Sequence, residues 1–195
     1  MSNNCPTLQH ILAASDCLED FGGLGSVVYA FNKADLKAPL VRVDNTYTWP
    51  TETDAFTGGA GLYKFECKED SQGIVGASQG RRAGFKQTLS FVLEAVNADS
   101  AKAARAFNNL DLGYIIKDGD TSIIVYSPDR KFTYESEGIK ADTGKTPEDD
   151  RQVSLEGSLK NCYYPLYYVN EPAAGWDSLL YAPTTNNAET HGDGE

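Results

Sequence analysis

The longest alternating segment of the chain constrains the fold most. Across residues 85–96, apolar and polar side chains take alternate positions. The apolar face comprises Phe85, Leu89, Phe91, Leu93 and Ala95, and the opposite face Lys86, Thr88, Ser90 and Glu94. A period of two is typical of a β-strand with one face toward a core. This strand is long enough to bridge most of a domain, so the fold must supply a sheet on which it can pack.

Directly after this strand comes the most convincing helical pattern of the chain. Asn97 or Asp99 can cap it, and residues 100–110 include four alanines among other helix formers. Its apolar stripe is Ala103, Ala106, Phe107 and Leu110. Because residues 97–99 alone join strand and helix, the helix is expected to fold straight back onto the sheet that contains residues 85–96.

Most of the remaining chain has strand character. Alternating or short apolar runs predict strands at residues 27–31, 40–43, 62–68, 74–77, 114–117, 122–126, 132–135 and 152–159. Asp118-Gly119 predicts a hairpin turn. Residues 163–169 contain Pro165, which favours an edge strand. Residues 44–61 and 140–150 are predicted loops, and residues 7–18 a short helix. Since strands and helices do not alternate, the predicted fold is mainly β, a β-sandwich or barrel with one packed α-helix.

Length and composition limit the number of domains and the class of protein. The 195 residues predict one β-rich domain over residues 1–182 and a flexible polar tail over residues 183–195. A formal net charge of −11 argues against a nucleic-acid-binding module. The four cysteines are widely spaced, the amino terminus lacks signal-peptide character, and no long apolar run exists, so we expect reduced thiols and no membrane partner.

Two motifs could carry chemistry, and neither has the required context. Gly144-Lys145-Thr146 resembles part of a phosphate-binding loop, but the earlier glycine that the motif needs would fall at Ile139. An acidic segment follows where such a loop needs a helix. Arg81-Arg82 is a basic island for which we keep two interpretations, a solvated loop or an ion pair with a neighbouring subunit.

Histidine chemistry is also poorly supported. His10 and His191 are the only histidines, one near each end. A zinc site from Cys5, His10 and Cys17 is conceivable but has no recognised spacing. We therefore predict no catalytic, cofactor-binding or metal-binding residues, and a protein that is not an enzyme. A hydrolase built on two carboxylates stays an alternative, because such pairs meet only in the fold.

The order of elements suggests a family. A long alternating strand, an Ala-rich helix, a hairpin, a polar loop and closing strands resemble the tail-tube proteins of tailed bacteriophages and related contractile injection systems. The likeness is carried by residues 85–96, 101–110, 113–126 and 151–159, roughly the carboxyl-terminal half, together with the glycine-rich loop. Residues near Cys5 and Cys17 and the loop around Trp49-Pro50 have no assigned counterpart.

The resemblance implies a virion structural protein, assembled in the host cytoplasm. Its subunits would form hexameric rings that stack through a long loop into a tube. Its partners would be further copies of itself, other tail or virion proteins, and DNA that passes without specific binding. An acidic surface suits the passage of DNA, because every contact between a basic side chain and a DNA phosphate adds affinity and so slows the movement of the DNA.

Two alternatives belong to other classes. A carbohydrate- or ligand-binding β-sandwich could use Trp49, Trp176 and the tyrosines at positions 163, 164, 167 and 168 as stacking faces. Packing in the core or at a sheet edge is the competing interpretation for these aromatics. Another phage virion component, or a hydrolytic jelly roll, is the remaining option. The size of the purified particle separates an assembling subunit from a monomeric binding module or enzyme.

Overall fold

The computed structural model describes residues 24–50, 55–81, 83–94, 96–146 and 150–182. Within them the chain forms eleven strands in two sheets and a single α-helix. The predicted fold class, mainly β with one packed helix and a sandwich-like arrangement, is therefore confirmed. The predicted helix at residues 7–18 and the tail at residues 183–195 lie outside the described residues.

The first sheet has seven strands in the order β2-β3-β11-β8-β7-β1-β4. Its members are β1 (Val27–Asn32), β2 (Val41–Val43), β3 (Thr46–Thr48), β4 (Tyr63–Glu66), β7 (Leu112–Asp118), β8 (Thr121–Val125) and β11 (Tyr168–Val169). All neighbouring pairs are antiparallel except β11 with β3. The β7–β8 hairpin turns at Gly119 and Asp120, one residue later than the predicted Asp118-Gly119, and Gly119 takes the positive φ of 55° that favours glycine.

The second sheet has four antiparallel strands in the order β5-β6-β10-β9. They are β5 (Gly73–Ser78), β6 (Phe85–Glu94), β9 (Thr133–Asp142) and β10 (Gln152–Cys162). Leu89, Phe91 and Leu93 on β6 are buried, as the alternation predicts. Gln87 shares that buried face, and its Nε2 donates to the carbonyl oxygen of Tyr164 at 3.3 Å.

Three predicted segments are wrong in detail. Strand β11 lies inside the seven-stranded sheet between β3 and β8, not at an edge. Pro165 is compatible with this position because the chain bends at residues 163–165, before the strand begins. The predicted loop at residues 44–61 contains strand β3, and the loop predicted from residue 140 begins later, since β9 continues to Asp142.

The helix α1 (Ala98–Asn109) begins at a capping box. The side chain of Asn97 accepts hydrogen bonds from the backbone N–H groups of Asp99 and Ser100 at 2.9 and 2.8 Å, and Ser100 Oγ accepts from the backbone N–H of Asn97. These bonds satisfy donors that a helix start leaves unpaired. The short linker and the cap fix where the helix leaves the end of β6.

The helix packs through Phe107, which lies between the two sheets. Its ring centroid is 5.0 Å from that of Phe65 on β4, 6.1 Å from Phe91 on β6 and 6.4 Å from Tyr114 on β7. The predicted stripe is otherwise only partly right. Ala103 is half-buried against the core, but Leu110 is 44% exposed because the backbone leaves the helical path at that residue, with φ −102° and ψ 152°.

A polar contact joins the sheets inside this aromatic core. The hydroxyl groups of Tyr114 on β7 and Tyr134 on β9 hydrogen-bond to each other. Burial raises the pKa of Tyr134 to about 12 and that of Tyr114 well above its ordinary value. Both hydroxyl groups therefore stay protonated, and each is the hydrogen-bond partner of the other. The rings of Phe91, Phe107 and Phe132 pack around Tyr114.

Candidate assembly surfaces

The thiols, histidines and glycine-rich motif named in the sequence analysis lie partly outside the described residues, and those inside them are described in turn. His10, His191, Cys5 and Cys17 lie outside the described residues. Cys67 and Cys162 are buried free thiols, and burial raises the pKa of each to about 11. Among the described residues no three His, Cys, Asp or Glu side chains lie close enough to hold a metal ion.

The Gly144-Lys145-Thr146 segment forms a bend between two strands. Gly144 has a positive φ of 70°, and its N–H donates to Asp142 Oδ1 at 3.0 Å. The next element after it is strand β10. A phosphate-binding loop needs a helix there to direct backbone N–H groups at the phosphate. The segment therefore has the structure of a turn.

The two tryptophans do not offer stacking faces to a ligand. Trp176 is 1% exposed and Trp49 7%, and their ring centroids are 5.2 Å apart in a T-shaped arrangement. Trp176 Nε1 donates to Ser122 Oγ at 3.0 Å, so its polar atom is also satisfied inside the core. Of the residues considered for a ligand-binding module, Tyr163 is the one with a largely exposed ring, at 72%.

Tyr163 belongs to a cluster that the sequence did not predict. The Arg42 guanidinium lies 5.2, 5.6 and 5.3 Å from the ring centroids of Tyr163, Tyr164 and Tyr167, and its Nη1 donates to the carbonyl oxygen of Asp44 at 2.6 Å. Cation–π contacts and this hydrogen bond hold the arginine in one place. The sequence gives one indication of this cluster. Arg42 lies between two valines in a predicted strand, so its side chain points to the opposite face of the strand from both valines.

Those valines make β2 an unusual edge. Val41 and Val43 are 68% and 67% exposed on the outermost strand of the seven-stranded sheet. Val75 is likewise 62% exposed on β5, an edge of the other sheet. Edge strands present unpaired backbone donors and acceptors, and natural proteins usually place charged residues on them. Exposed valines on two edges are typical of strands that a partner covers.

The outward face of the four-stranded sheet is broad and polar. In the register of the sheet, Thr88 pairs with Ser158, Ser90 with Glu156, and Lys140 with Ser154. This outward surface, which we call the hydroxyl face, presents the hydroxyl groups of Thr88, Ser90, Thr133 and Ser154; Ser158 shares the face but is buried, with its Oγ donating to Glu135. The same register places charged residues and the apolar Val75 and Val92 on this face. The hydroxyl side chains make the face hydrophilic without adding charge of their own.

Lys86 and Lys140 on the hydroxyl face have carboxylate partners, whereas Lys160, which the alternation of β10 places on the same face, forms no salt bridge with a described residue. Lys86 Nζ lies 2.9 Å from Glu135 Oε1, which also accepts a hydrogen bond from Oγ of the buried Ser158 at 2.9 Å, and Lys140 Nζ lies 3.7 Å from Asp142 Oδ2. The hydrogen bonds from Lys86 and Ser158 lower the pKa of Glu135 below its ordinary value. The glutamate therefore stays ionised at neutral pH and offsets the positive charge beside it.

The excess negative charge of the chain lies largely outside the described fold. Ten acidic residues and one basic residue fall outside the described ranges, so those ranges hold 18 of the 28 acidic and 16 of the 17 basic residues. The described surface is thus nearly balanced overall. Its local charge pattern matters more for recognition than the total of −11.

Comparison with known proteins identifies no relative of the chain. No family model, no curated protein and no solved structure matches the chain. No helix within the described ranges is long and apolar enough to cross a membrane.

Proposed function

We propose that the protein is a tail-tube subunit, a virion structural protein that assembles into stacked rings around a DNA-conducting channel. The observation that carries the proposal is the hydroxyl face of the four-stranded sheet. A channel wall must stay hydrated next to DNA and must not hold the phosphates. Free lysines and arginines on such a wall would add affinity and slow the passage of DNA.

The hydroxyl face is hydrated, and two of its lysines, Lys86 and Lys140, are engaged by carboxylates. Serine and threonine side chains keep the face hydrated, and Lys86 Nζ forms an ion pair with Glu135 Oε1 at 2.9 Å. A phosphate would have to displace a carboxylate to use that lysine, which removes most of the gain. The face therefore suits a surface along which DNA slides.

The sheet edges supply the contacts that a ring needs. β2 and β5 lie at edges of different sheets, and both carry exposed valines. Contacts between two different edges are head-to-tail, and such contacts close into a ring when the rotation between subunits permits. Burial of Val41, Val43 and Val75 in those contacts would remove apolar surface from water, at about 25 cal/mol per Å².

Electron microscopy of the purified protein tests the assembly. We expect rings or tubes with a central channel, and elution far above the monomer in size exclusion. Val41→Asp and Val43→Asp should prevent ring formation while leaving the thermal unfolding of the monomer nearly unchanged. A protein that stays monomeric at all concentrations would show that the tail-tube proposal is wrong.

Cysteine labelling tests which face lines the channel. Ser154→Cys alters the hydroxyl face, and Lys102→Cys alters the exposed side of α1, where the lysine side chain is 79% exposed. In assembled particles a bulky maleimide should react with the cysteine at position 102 and not with that at position 154, as judged by peptide mapping. In the monomer it should react at both. Equal reaction at both positions in the assembled state would place the hydroxyl face outside the channel.

A further inference from the structure

The strand register divides the sandwich into two ends. The β8–β9 and β10–β11 connections lie at one end, next to the turn between β5 and β6, since the backbone N–H of Asn161 donates to Gln79 Oε1 at 2.7 Å. The β7–β8 turn and the β4–β5 connection lie at the opposite end, because Glu66 pairs with Val27 and the N–H of Lys68 bonds to the carbonyl oxygen of Val92. The two ends differ in charge.

The first of these, the basic end, carries cations without carboxylate partners. Within the described ranges five of its cations form no salt bridge: Arg42, Arg81, Arg130, Lys131 and Lys160. Lys33, also at this end, is paired with Asp111 at 2.9 Å. The acidic residues here that lack a salt bridge to a described residue are Asp35, Asp44 and Asp129, so positive charge prevails.

The acidic end has the reverse pattern. Six carboxylates at this end form no salt bridge with a described residue, namely Glu66, Glu69, Asp70, Glu94, Asp118 and Asp120, whereas Arg151 is a cation here without one. The lysines nearest to them are already engaged, Lys68 with Asp150 and Lys117 with Glu171. Asp118 and Asp120 flank the tip of the β7–β8 hairpin, where Asp120 is exposed.

The basic end also contains a cavity of about 290 Å³, lined by Arg42, Arg130, Asn161 and Tyr163 among others. Its two arginines outnumber the one acidic residue of the lining, Asp129, so the cavity favours an anion such as a carboxylate. Both guanidinium groups act electrostatically on the Cys162 thiol, which also lines the cavity, and oppose the rise of its pKa. Arg42 is held by three tyrosine rings, so little side-chain entropy is lost when it binds an anion.

We propose that the basic end of one copy docks on the acidic end of a second copy, with a hairpin-tip carboxylate entering the cavity lined by Arg42 and Arg130. The inference rests on the proposed function, because both take a second copy of the chain as the partner. In such a contact the unpaired cations of one end face the unpaired carboxylates of the other. A heterologous contact of this kind continues as a stack.

Electrostatic complementarity makes the contact sensitive to salt. The Debye length falls from about 8 Å at physiological ionic strength to about 3 Å at 1 M salt. Stacks should therefore shorten as salt rises, whereas ring contacts through the valine edges should persist. Sedimentation velocity at low and high salt would resolve the two species.

Charge reversal at each end tests the docking directly. Arg130→Glu and Asp120→Lys should each weaken the association of copies about tenfold or more, as expected for a close charge pair that becomes repulsive. An equal mixture of the two variants should associate like the unaltered protein, because each reversed end then meets a complementary partner. Arg105→Glu, on the exposed side of α1, makes the same charge change away from both ends and should leave association unchanged.

The outcomes separate this contact from the tube proposal. Restored association in the mixture, with thermal unfolding of each variant unchanged, supports docking of the two ends. Rings or tubes that form equally well with either variant would overturn the docking and leave the tail-tube proposal in place. A mixture that fails to associate, while each variant stays folded, would also overturn the docking. A protein that never self-associates would overturn both.

Discussion

Replacing Phe107 with alanine tests how the helix is fastened to the sandwich. The side chain is 2% exposed and contacts three aromatic rings from both sheets, at centroid distances of 5.0–6.4 Å. Truncation of a buried phenylalanine to alanine costs about 3–5 kcal/mol, because apolar burial is reduced and a cavity remains. That is a large part of the roughly 5–15 kcal/mol by which a domain is stable.

The expected shift is large enough to measure without ambiguity. A domain of this size loses about 2–4 °C of melting temperature per kcal/mol, so Phe107→Ala should melt roughly 6–20 °C lower. Urea unfolding should show a lower midpoint with an unchanged m-value, because the surface exposed on unfolding stays nearly the same. Both should be recorded at two protein concentrations, since association of subunits raises apparent stability.

A matched variant on the same helix provides the control. Leu110 lies three positions further on and is 44% exposed, so Leu110→Ala should cost well under 1 kcal/mol, near the level of an ordinary surface substitution. If Leu110→Ala destabilised the protein as much as Phe107→Ala, the helix would not be anchored by the phenylalanine, and the described packing would be refuted.

Buried and charged groups elsewhere in the fold give three further predictions. Trp176→Phe and Ser122→Ala each break the 3.0 Å hydrogen bond between them and should cost about 1–3 kcal/mol, with the double variant costing less than the sum in denaturant unfolding. Cys67 and Cys162, with pKa values raised by burial to about 11, should resist a thiol reagent until the protein unfolds, as mass spectrometry of peptides would show. The pKa of Glu135 is lowered in the folded state. The stability that its ionised form contributes is therefore complete above the ordinary pKa of a glutamate and is lost as pH falls through the lowered value. Glu135→Gln should make the free energy of unfolding depend less steeply on pH in the acidic range.

Local patterns predicted the elements that are defined by their own residues. The alternation in β6, the capping of α1 at Asn97 and the turn at Gly119 depend on nearest neighbours along the chain, and all three are confirmed. Which strands become neighbours depends on contacts between distant residues. The position of β11 inside its sheet results from pairing with β3 and β8, and Pro165 could not reveal it.

The candidate surfaces were harder to predict for the same reason. Arg42 and Tyr163 are far apart in sequence and meet only because β2 and the β10–β11 connection lie at one end of the sandwich. The charge difference between the ends is invisible in a net charge of −11, because acidic and basic residues are interspersed along the chain. The strand register places the acidic and basic residues at opposite ends of the sandwich, and the register is established only when the chain folds.

The hydroxyl pair of Tyr114 and Tyr134 determines how the two sheets can shift against each other. Interdigitated apolar side chains already resist a shift of one sheet against the other, because protein interiors are close-packed. The hydrogen bond between the opposing sheets adds a directional constraint, since a displacement of about 1–2 Å leaves two buried hydroxyls unpaired, at about 1–3 kcal/mol each. The same penalty couples the two positions energetically. Exchange of either tyrosine alone for phenylalanine leaves a buried unpaired hydroxyl, whereas exchange of both removes the penalty and, with it, the fixed alignment of the sheets.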